Sequence, residues 1–210
     1  MRINREYKDF KAFCVRESLT SWVEMDTVEG RKGGKVLLTF TVSSPNFFFA
    51  YLMDKQTAQS VVDVFKNIRE QFKISKLEFD TLFWVLLTDN GSEFAFADQI
   101  ENDKEINLFY CDPRRSDQKA RVEKNHTLLR DILPKGTSFD ELTQEDVNVI
   151  CSHINSVKRK ALNGRSSYET FTFFHGQVMP LCLNIHSIPA THVIQSTKLL
   201  DLFGKSHILN

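Results

Sequence analysis

The amino-acid sequence predicts an α/β fold in which a mixed five-stranded sheet carries helices on both faces. Three strand-like segments separated by short turns occupy residues 22–53, which indicates an antiparallel meander. Helical and strand periodicities then alternate from residue 57 to about residue 133. Because a strand that follows an intervening helix usually lies parallel to its neighbour, the order βββ-α-β-α-β-α predicts a mixed sheet.

The first three strands are recognised by alternation and by composition. Residues 22–28 alternate apolar and polar side chains, and the glycine-rich residues 29–34 form the turn that follows. Residues 35–42 are rich in β-branched and aromatic side chains, and residues 47–53 supply the third strand. These three segments account for the antiparallel part of the sheet.

The remaining elements follow from changes of period along the chain. Residues 57–72 place their apolar side chains at helical spacing, so this helix should cover one face of the sheet. An apolar strand is expected at residues 82–87, a short acidic helix at about 97–105 and a brief strand at 106–110. A further helix, from about residue 117 or 118 to 132, completes the pattern.

The chain divides into three parts on this basis. Residues 1–20 are charged and aromatic without clear periodicity, and we interpret them as a lead-in segment. Residues 21–140 form the α/β core, and residues 141–210 form a C-terminal helical extension and tail. The sequence from Thr143 to Asp146 resembles a capping box, which predicts that the first helix of the extension begins there and runs to about Leu162.

The overall charge is balanced, but it is segregated along the chain. The 210 residues carry 27 basic and 27 acidic side chains, and 41% of them are hydrophobic, enough for one sizeable core. Six acids lie in residues 93–112 against one lysine, whereas residues 114–135 carry seven Lys or Arg side chains against three acids. This pattern suits a protein that grips a polyanion beside an acidic centre, although charge runs are also typical of solvated helix faces.

The cysteines and the apolar runs indicate the cellular compartment in which the protein is expected. Four widely separated cysteines form no Cys-x-x-Cys pair, which argues against a zinc site or a disulfide framework and fits a reducing cytosol. No apolar signal segment opens the chain, and the longest apolar run, residues 47–53, is too short to span a bilayer. We therefore expect a cytoplasmic protein with no membrane partner.

Three acids lie at positions of the predicted core where their carboxylates could bind a cation. The apolar run at residues 82–87 is followed closely by Asp89, Asn90 and Gly91, which presents Asp89 at the sheet's edge, with Asn90 and Gly91 expected to supply positive φ angles. Asp26 lies in the middle of the first strand, where an unbound charge is costly. Glu123 lies on the helix predicted beside them. Carboxylates converging from two strands and a helix are what hard divalent cations require.

Each of these acids also has a purely structural interpretation. Asp89 is also typical of an aspartate that only closes a turn, Asp26 of a strand-edge acid without metal, and Glu123 of a helix residue that forms a salt bridge. Five further polar residues lie near these three acids in the predicted fold. We interpret them as solvated residues or as residues that support packing, the turn or the three acids. The five residues are Glu24, Asn90, Glu93, Asp112 and His126.

Residues 22–30, 87–94 and 123–126 resemble the three sequence blocks of the DDE transposases, and most closely those of the IS-thirty family of bacterial insertion sequences. The interval between Asp89 and Glu123 matches the spacing of that family. The likeness extends from about residue 20 to residue 171 and includes further blocks at 129–137 and 159–164. It implies that residues 21–140 form an RNase H-like, retroviral-integrase-like catalytic core.

The resemblance also implies a mechanism and a set of functional residues. Asp26, Asp89 and Glu123 would be the catalytic residues and would hold two Mg²⁺ (or Mn²⁺) ions for DNA strand cleavage and strand transfer. Basic side chains would contact phosphates of the insertion-sequence ends and of target DNA. These residues are Lys119, Lys124, Arg130, Lys158, Arg159 and Lys160. The expected state is a homo-oligomer on DNA in the bacterial cytoplasm, associated with the nucleoid.

Two other functions remain compatible with the residues. A nuclease of the same fold would hydrolyse nucleic acid without strand transfer, and an inactive remnant would only bind DNA or a partner transposase. Members of the family carry an N-terminal helix-turn-helix region, and the segment before Trp22 is too short to be one. We therefore expect this chain to lack that region.

Overall fold

The computed structural model describes residues 4–102 and 105–209 and contains one mixed five-stranded sheet. The strands are β1 (Val23–Glu29), β2 (Val36–Val42), β3 (Phe47–Met53), β4 (Val85–Thr88) and β5 (Asn107–Tyr110). Their order across the sheet is β3-β2-β1-β4-β5, with antiparallel pairing from β1 to β3 and parallel pairing from β1 to β5. The predicted mixed sheet is confirmed.

Aromatic side chains fill the space between the sheet and helix α2 (Ala58–Ile74). The rings of Phe40 and Phe49, on neighbouring strands, stack with centroids 4.9 Å apart. Phe83 meets both rings edge-on at 5.9 and 6.0 Å, and Phe65 of α2 meets Phe40 at 5.7 Å. Edge-to-face and offset pairs of this kind add to the free energy gained by burying the rings. This cluster fixes α2 against one face of the sheet.

A helix at the N-terminus covers part of the opposite face. Helix α1 (Tyr7–Arg16) begins with a capping box formed by Glu6 and Asp9, and it buries Phe10 and Phe13 against Phe109 of β5. The interpretation of residues 1–20 as a segment without clear periodicity is therefore corrected. The aromatic spacing and the capping acids are the signals that identify this helix.

Two elements of the core have bounds that differ from those expected. Leu82 and Phe83 belong to the short helix α3 (Asp80–Phe83), so the strand predicted at 82–87 is β4 (Val85–Thr88). The acidic helix α4 (Ala97–Glu101) ends at Asn102, which adopts a left-handed conformation, and residues 103–104 lie outside the described residues. Apolar side chains are buried in α3 and β4 alike, and burial alone does not distinguish a helical turn from a strand.

The later helices along the chain are α5 (Ala120–Ile132), α6 (Gln144–Ser156), α7 (Ser167–His175), α8 (Val178–Cys182) and α9 (Leu199–Leu202). The capping box that opens α6 at Thr143 is confirmed, but α6 ends at Ser156 and does not reach Leu162. Phe171 of α7 stacks on Phe47 of β3 with ring centroids 3.9 Å apart. The extension is thus packed onto the meander side of the sheet. None of the described helices combines the length and apolarity needed to cross a bilayer.

Helix α6 runs along the outer edge of β3 and binds its main chain. The Asn155 side chain accepts the N–H of Phe48 at 2.8 Å and donates to the carbonyl oxygen of Phe48 at 2.5 Å. Gln144 accepts the N–H of Leu52 at 2.8 Å and donates to the carbonyl oxygen of Ala50 at 2.9 Å. Two side-chain amides therefore satisfy backbone groups that an edge strand would leave unpaired.

At the other outer strand, β5, outward main-chain N–H groups are also bonded by residues outside the sheet. Glu101 accepts the N–H of Leu108 at 2.8 Å, and the carbonyl oxygen of Arg5 accepts the N–H of Tyr110 at 2.8 Å. Arg5 also forms an ion pair with Glu101, with 2.7 Å between Nη2 and Oε2. The segment before α1 is thus attached to the sheet edge opposite β3.

We expect Asn155→Ala to lower the free energy of unfolding by about 3 kcal/mol, because it leaves the buried N–H and carbonyl of Phe48 without partners. Urea denaturation followed by circular dichroism measures this change. Val149→Ala, at a half-exposed position of the same helix, is the control and should change the stability by no more than about 0.5 kcal/mol. Equal stability of the two variants would show that α6 does not hold the β3 edge through Asn155.

Candidate active site

The parallel pairing of β1 with β4 brings Asp26 level with Asp89. Val23 pairs with Leu86 and Glu24 pairs with Leu87, so the same register continued by two residues sets Asp26 opposite Asp89. Asp26 lies within β1, as predicted, and Asp89 directly follows β4. In this register the two side chains emerge on the same face of the sheet.

A lysine lies between the two aspartates. The Lys119 ammonium is 2.9 Å from Asp26 Oδ2 and 3.3 Å from Asp89 Oδ2. The Lys119 side chain is 3% exposed, against 16% for Asp26 and 47% for Asp89. The family resemblance implied that Lys119 contacts DNA phosphates, and the structure buries its side chain between the two aspartates.

Burial and pairing act in opposite directions on the charges of this centre. Burial raises the pKa of the Asp26 carboxyl above its ordinary value, and the neighbouring Lys119 only partly offsets this effect. Burial by itself lowers the pKa of the Lys119 ammonium, but the charges of Asp26 and Asp89 outweigh it and hold that pKa above its usual range. Lys119 is therefore positively charged at neutral pH.

Glu123 lines the same cavity as the two aspartates. The cavity has a volume of about 380 Å³, and the Glu123 side chain is exposed at its wall. The other lining residues are Asn90, Gly91, Cys111, Asp112, Pro113, Arg114, Arg115 and Lys119. Glu123 also borders a second, wider cavity of about 720 Å³ that is flanked by His126, Arg130 and Lys135. The three predicted acids thus lie around one cavity.

Polar contacts attach α5, the helix of Glu123, to the strands beneath it. The Nε2 atom of His126 lies 2.8 Å from the Thr39 hydroxyl, which itself donates to the carbonyl oxygen of Asp26 at 3.0 Å. Because that hydroxyl proton is already used, His126 is the donor to Thr39. Arg130 donates to the carbonyl oxygen of Glu29 at 2.8 Å. Burial lowers the pKa of His126 to about 4, so its ring is neutral at pH 7.

Glu24 makes a further contact with α5. Its carboxylate is 1% exposed and accepts the N–H groups of Arg121 and Val122, at 3.0 and 2.9 Å. Burial raises the pKa of Glu24, and the two N–H groups oppose this shift. The sequence identified Glu24 only as a flanking acid. Its alternation with Asp26 on one strand is the signal that sets both carboxylates on the same face.

The loop after Asp89 is held by its own side chains. Asp89 Oδ1 accepts the N–H of Gly91 at 2.9 Å, and Asn90 donates to the carbonyl oxygen of Cys111 at 2.8 Å. Neither Asn90 nor Gly91 has a positive φ, so that expectation is wrong. A Cβ at position 91 would lie 2.4 Å from a carboxylate oxygen of Glu93, so a larger residue there would force the Glu93 side chain to shift.

Glu93 itself is buried rather than solvated. Its Oε1 accepts hydrogen bonds from the Thr27 hydroxyl at 2.8 Å and from the Gln56 amide at 2.6 Å. Thr27 follows Asp26 on β1, so this network ties the Asp89 loop to the strand of the other aspartate. Asp112 is exposed and is bonded through its Oδ2 to the Gln118 amide at 2.9 Å.

The remaining basic residues differ in their surroundings. Lys124 and Lys160 are exposed, and Lys158 forms an ion pair with Glu169. Arg159 is partly buried, donates to Asn125 at 3.1 Å, and has a pKa that burial lowers to about 10. The Lys158 to Lys160 segment is not the end of a helix, because α6 stops at Ser156 and a short 3₁₀ turn begins at Lys160.

The acidic centre has the donor chemistry of a divalent-cation site. Asp26 and Asp89 both direct an oxygen at one positively charged atom, and Glu123 supplies a third carboxylate at the same cavity. Across residues 4–102 and 105–209, no three His, Cys, Asp or Glu side chains lie close enough together to hold a metal ion. The oxygens of Asp26 and Asp89 that meet at Lys119 are of the kind that hard cations prefer, but Glu123 does not lie close enough to them in this structure to form a three-ligand cluster.

Comparison with known proteins relates the chain to integrases and transposases. The chain is 30% identical over 166 residues to a putative integrase of Spiroplasma virus SpV1-R8A2 B, a match that covers 78% of this chain and 50% of that protein. It is 26% identical over 149 residues to the transposase for insertion sequence element IS4351 of Bacteroides fragilis, covering 71% of this chain and 44% of that protein. No known family model matches the chain.

The E. coli K12 transposase for insertion sequence element IS30A is a further relative. It is 25% identical over 157 residues, which cover 73% of this chain and 38% of that protein. The chain therefore spans about half the length, or less, of these curated relatives.

Solved structures identify the fold. The catalytic core domain of BIV integrase superimposes with a TM-score of 0.53 at 18% identity, covering 73% of this chain and 95% of that domain. A chain of the simian T-cell lymphotropic virus intasome, solved in complex with PP2A regulatory subunit B56 gamma, also gives a TM-score of 0.53, at 13% identity over 70% of this chain and 52% of that one. The predicted RNase H-like, integrase-type fold is confirmed.

We expect Lys119→Met to lower the free energy of unfolding by about 2–4 kcal/mol, because it leaves the Asp26 carboxylate buried without its counter-charge. Adding Asp26→Asn to this variant should restore about 1–3 kcal/mol, since the uncompensated charge is then removed. Chemical denaturation of the two single variants and the double variant measures the coupling.

Lys124→Met is the matched control, because Lys124 is exposed on the helix that begins next to Lys119. It should leave the stability unchanged within about 0.5 kcal/mol. Strictly additive effects of Lys119→Met and Asp26→Asn would contradict a direct interaction between the two charges.

Proposed function

The chain is related to the insertion-sequence transposases of the IS-thirty type and has an integrase-type fold, and from this premise we propose that it is the catalytic region of a DDE transposase. The proposed reaction is metal-dependent DNA strand cleavage followed by strand transfer. The observation that carries the proposal is that Asp26 and Asp89 both contact the Lys119 ammonium, in a cavity that Glu123 also lines.

Asp26, Asp89 and Glu123 are proposed to hold two Mg²⁺ or Mn²⁺ ions. When bound, the ions would activate a water molecule or a DNA 3′-hydroxyl as nucleophile and would stabilise the oxygen that leaves phosphorus. The carboxylates fit this task because hard divalent cations prefer oxygen ligands. One set of residues serves both steps, since cleavage and strand transfer are in-line displacements at phosphorus that differ only in the nucleophile.

Lys119 has a defined part in this proposal. Its ammonium uses the same Asp26 and Asp89 oxygens that a metal ion would use, so metal binding requires Lys119 to move away. Released from the aspartates, the Lys119 ammonium would be free to contact a DNA phosphate. Lys119 would thus have two states. Without metal it pairs with the aspartates as in this structure, and with metal bound it contacts phosphate as expected from the sequence.

The other basic side chains are proposed to position DNA without reading its sequence. Lys124 and Lys160 are exposed and suited to phosphate contacts, whereas Lys158, Arg159 and Arg130 each have a protein partner that competes with DNA. The proposed partners are insertion-sequence ends, target DNA and further copies of the chain. We place this activity in the bacterial cytoplasm, at the nucleoid.

The competing functions differ in measurable products. A nuclease of the same fold would hydrolyse DNA but would not join a pre-cleaved 3′-hydroxyl end to a target strand. A remnant that only binds would retain salt-sensitive DNA binding without metal-dependent cleavage. Strand-transfer assays with a pre-cleaved end therefore distinguish all three.

We expect Asp89→Asn to abolish Mg²⁺-dependent cleavage while changing DNA binding by less than about threefold, because phosphate contacts rather than this carboxylate supply the binding energy. Cleavage of labelled DNA and a salt titration of binding are the two measurements. Asp112→Asn is the matched control, since Asp112 is an exposed aspartate at the same cavity and should retain cleavage. A wild-type chain that binds DNA and shows no metal-dependent activity would favour the remnant.

We expect Lys119→Met to bind Mn²⁺ about tenfold more tightly than the wild-type chain, a factor that corresponds to about 1.4 kcal/mol, because a competing cation is removed. Isothermal titration calorimetry without DNA measures the affinity. Lys124→Met should bind Mn²⁺ as the wild type does. Unchanged or weaker binding by Lys119→Met would contradict competition between the ammonium and the metal.

A further inference from the structure

Glu24 is a buried acid that the proposed chemistry does not use. Its Oε2 accepts the backbone N–H groups of Arg121 and Val122 at 3.0 and 2.9 Å, and the Arg121 guanidinium lies 3.6 Å from its other oxygen. Arg121 also rests over the Trp22 ring, 4.8 Å from its centroid. A carboxylate with 1% exposure is costly to bury, so these contacts must offset a substantial desolvation penalty.

The two N–H groups belong to the first turn of α5, where a helix lacks its own acceptors. Such groups are usually capped by the side chain of the residue that precedes the helix. Here that residue is Lys119, whose ammonium is directed to the aspartates and has no lone pair that could accept an N–H. Glu24, nearly one hundred residues earlier in the chain, provides the cap, and its negative charge also favours the positive end of the helix dipole.

Glu24 therefore connects three parts of the acidic centre. It lies two residues before Asp26 on β1, so the strand that carries one aspartate also carries the anchor of the helix. The two N–H groups that Glu24 binds belong to residues 121 and 122. In the chain they lie between Lys119, which precedes α5, and Glu123, which is in its first turn. A shift of this first turn would move both side chains relative to Asp26 and Asp89.

We propose that Glu24 is a positioning residue that sets the distance of Glu123 and Lys119 from the two aspartates by capping α5 from strand β1. This inference rests on the proposed function, because it assigns Glu24 a role in forming the metal-binding arrangement. It also makes a structural claim that holds without metal: the Glu24 carboxylate keeps the first turn of α5 closed.

The test compares Glu24→Gln with Glu101→Gln in the full chain. Glu101 is a matched control because it too is a buried glutamate that accepts a backbone N–H and pairs with an arginine, but at the β5 edge. The readouts are amide hydrogen exchange at residues 121 and 122 and Mn²⁺ affinity by calorimetry. A general loss of stability should appear in both variants, whereas a positioning effect should appear only in Glu24→Gln.

We expect Glu24→Gln to accelerate amide exchange at residues 121 and 122 by about fivefold or more, the size of effect that loss of a helix cap produces. We expect its Mn²⁺ affinity to fall by a similar factor, with both quantities unchanged in Glu101→Gln. Equal exchange and equal affinity in the two variants would overturn the proposal. Where Glu24→Gln does not fold, Glu24→Asp, which keeps the charge on a shorter side chain, takes its place with the same expected direction.

The proposed function and the positioning role fail in different ways. A wild-type chain that binds no Mn²⁺ contradicts the proposed function, and amide exchange alone then decides whether Glu24 holds α5. Normal Mn²⁺ binding by Glu24→Gln, with faster exchange at residues 121 and 122, would show that Glu24 caps the helix but does not position the metal site.

Discussion

Repulsion between Asp26 and Asp89 is the constraint on which the rest of this centre depends. The parallel register sets the two carboxylates side by side, and burial together with the charge of Asp89 raises the pKa of Asp26. The fold tolerates this pair because a positive charge lies between its oxygens. The centre is therefore arranged to contain a cation, and Lys119 provides it in this structure.

Helix α5 is joined by polar contacts to β1, the strand that carries Asp26. Its first turn is capped by Glu24 of β1, its middle is joined through His126 and Thr39 to the backbone of Asp26, and its later part is joined by Arg130 to the end of β1. The helix is thus fixed along its length to the strand of one aspartate. Polar contacts between residues distant in the chain, rather than the loop that connects them, determine where Glu123 lies.

The sequence was sufficient for the parts of the molecule that local patterns encode. Period-two and helical spacings predicted the five strands and the mixed order, and the apolar strand that ends near Asp89 predicted the edge position of that acid. The orientation of Lys119 was not predictable in this way, because Lys119 lies in a 3₁₀ turn before α5 and its ammonium contacts two aspartates that are distant in the chain. The capping role of Glu24 depends on a contact across 97 residues, which no local pattern encodes.

The closure of both sheet edges limits how copies of this chain can associate. Side-chain amides of α6 bond the outward main chain of β3, and Glu101 and the Arg5 carbonyl bond that of β5. A neighbouring copy therefore finds no open row of peptide groups at these positions, and it cannot lengthen the sheet by strand addition there. Any contact between copies at these two edges would therefore use side chains in place of main-chain pairing.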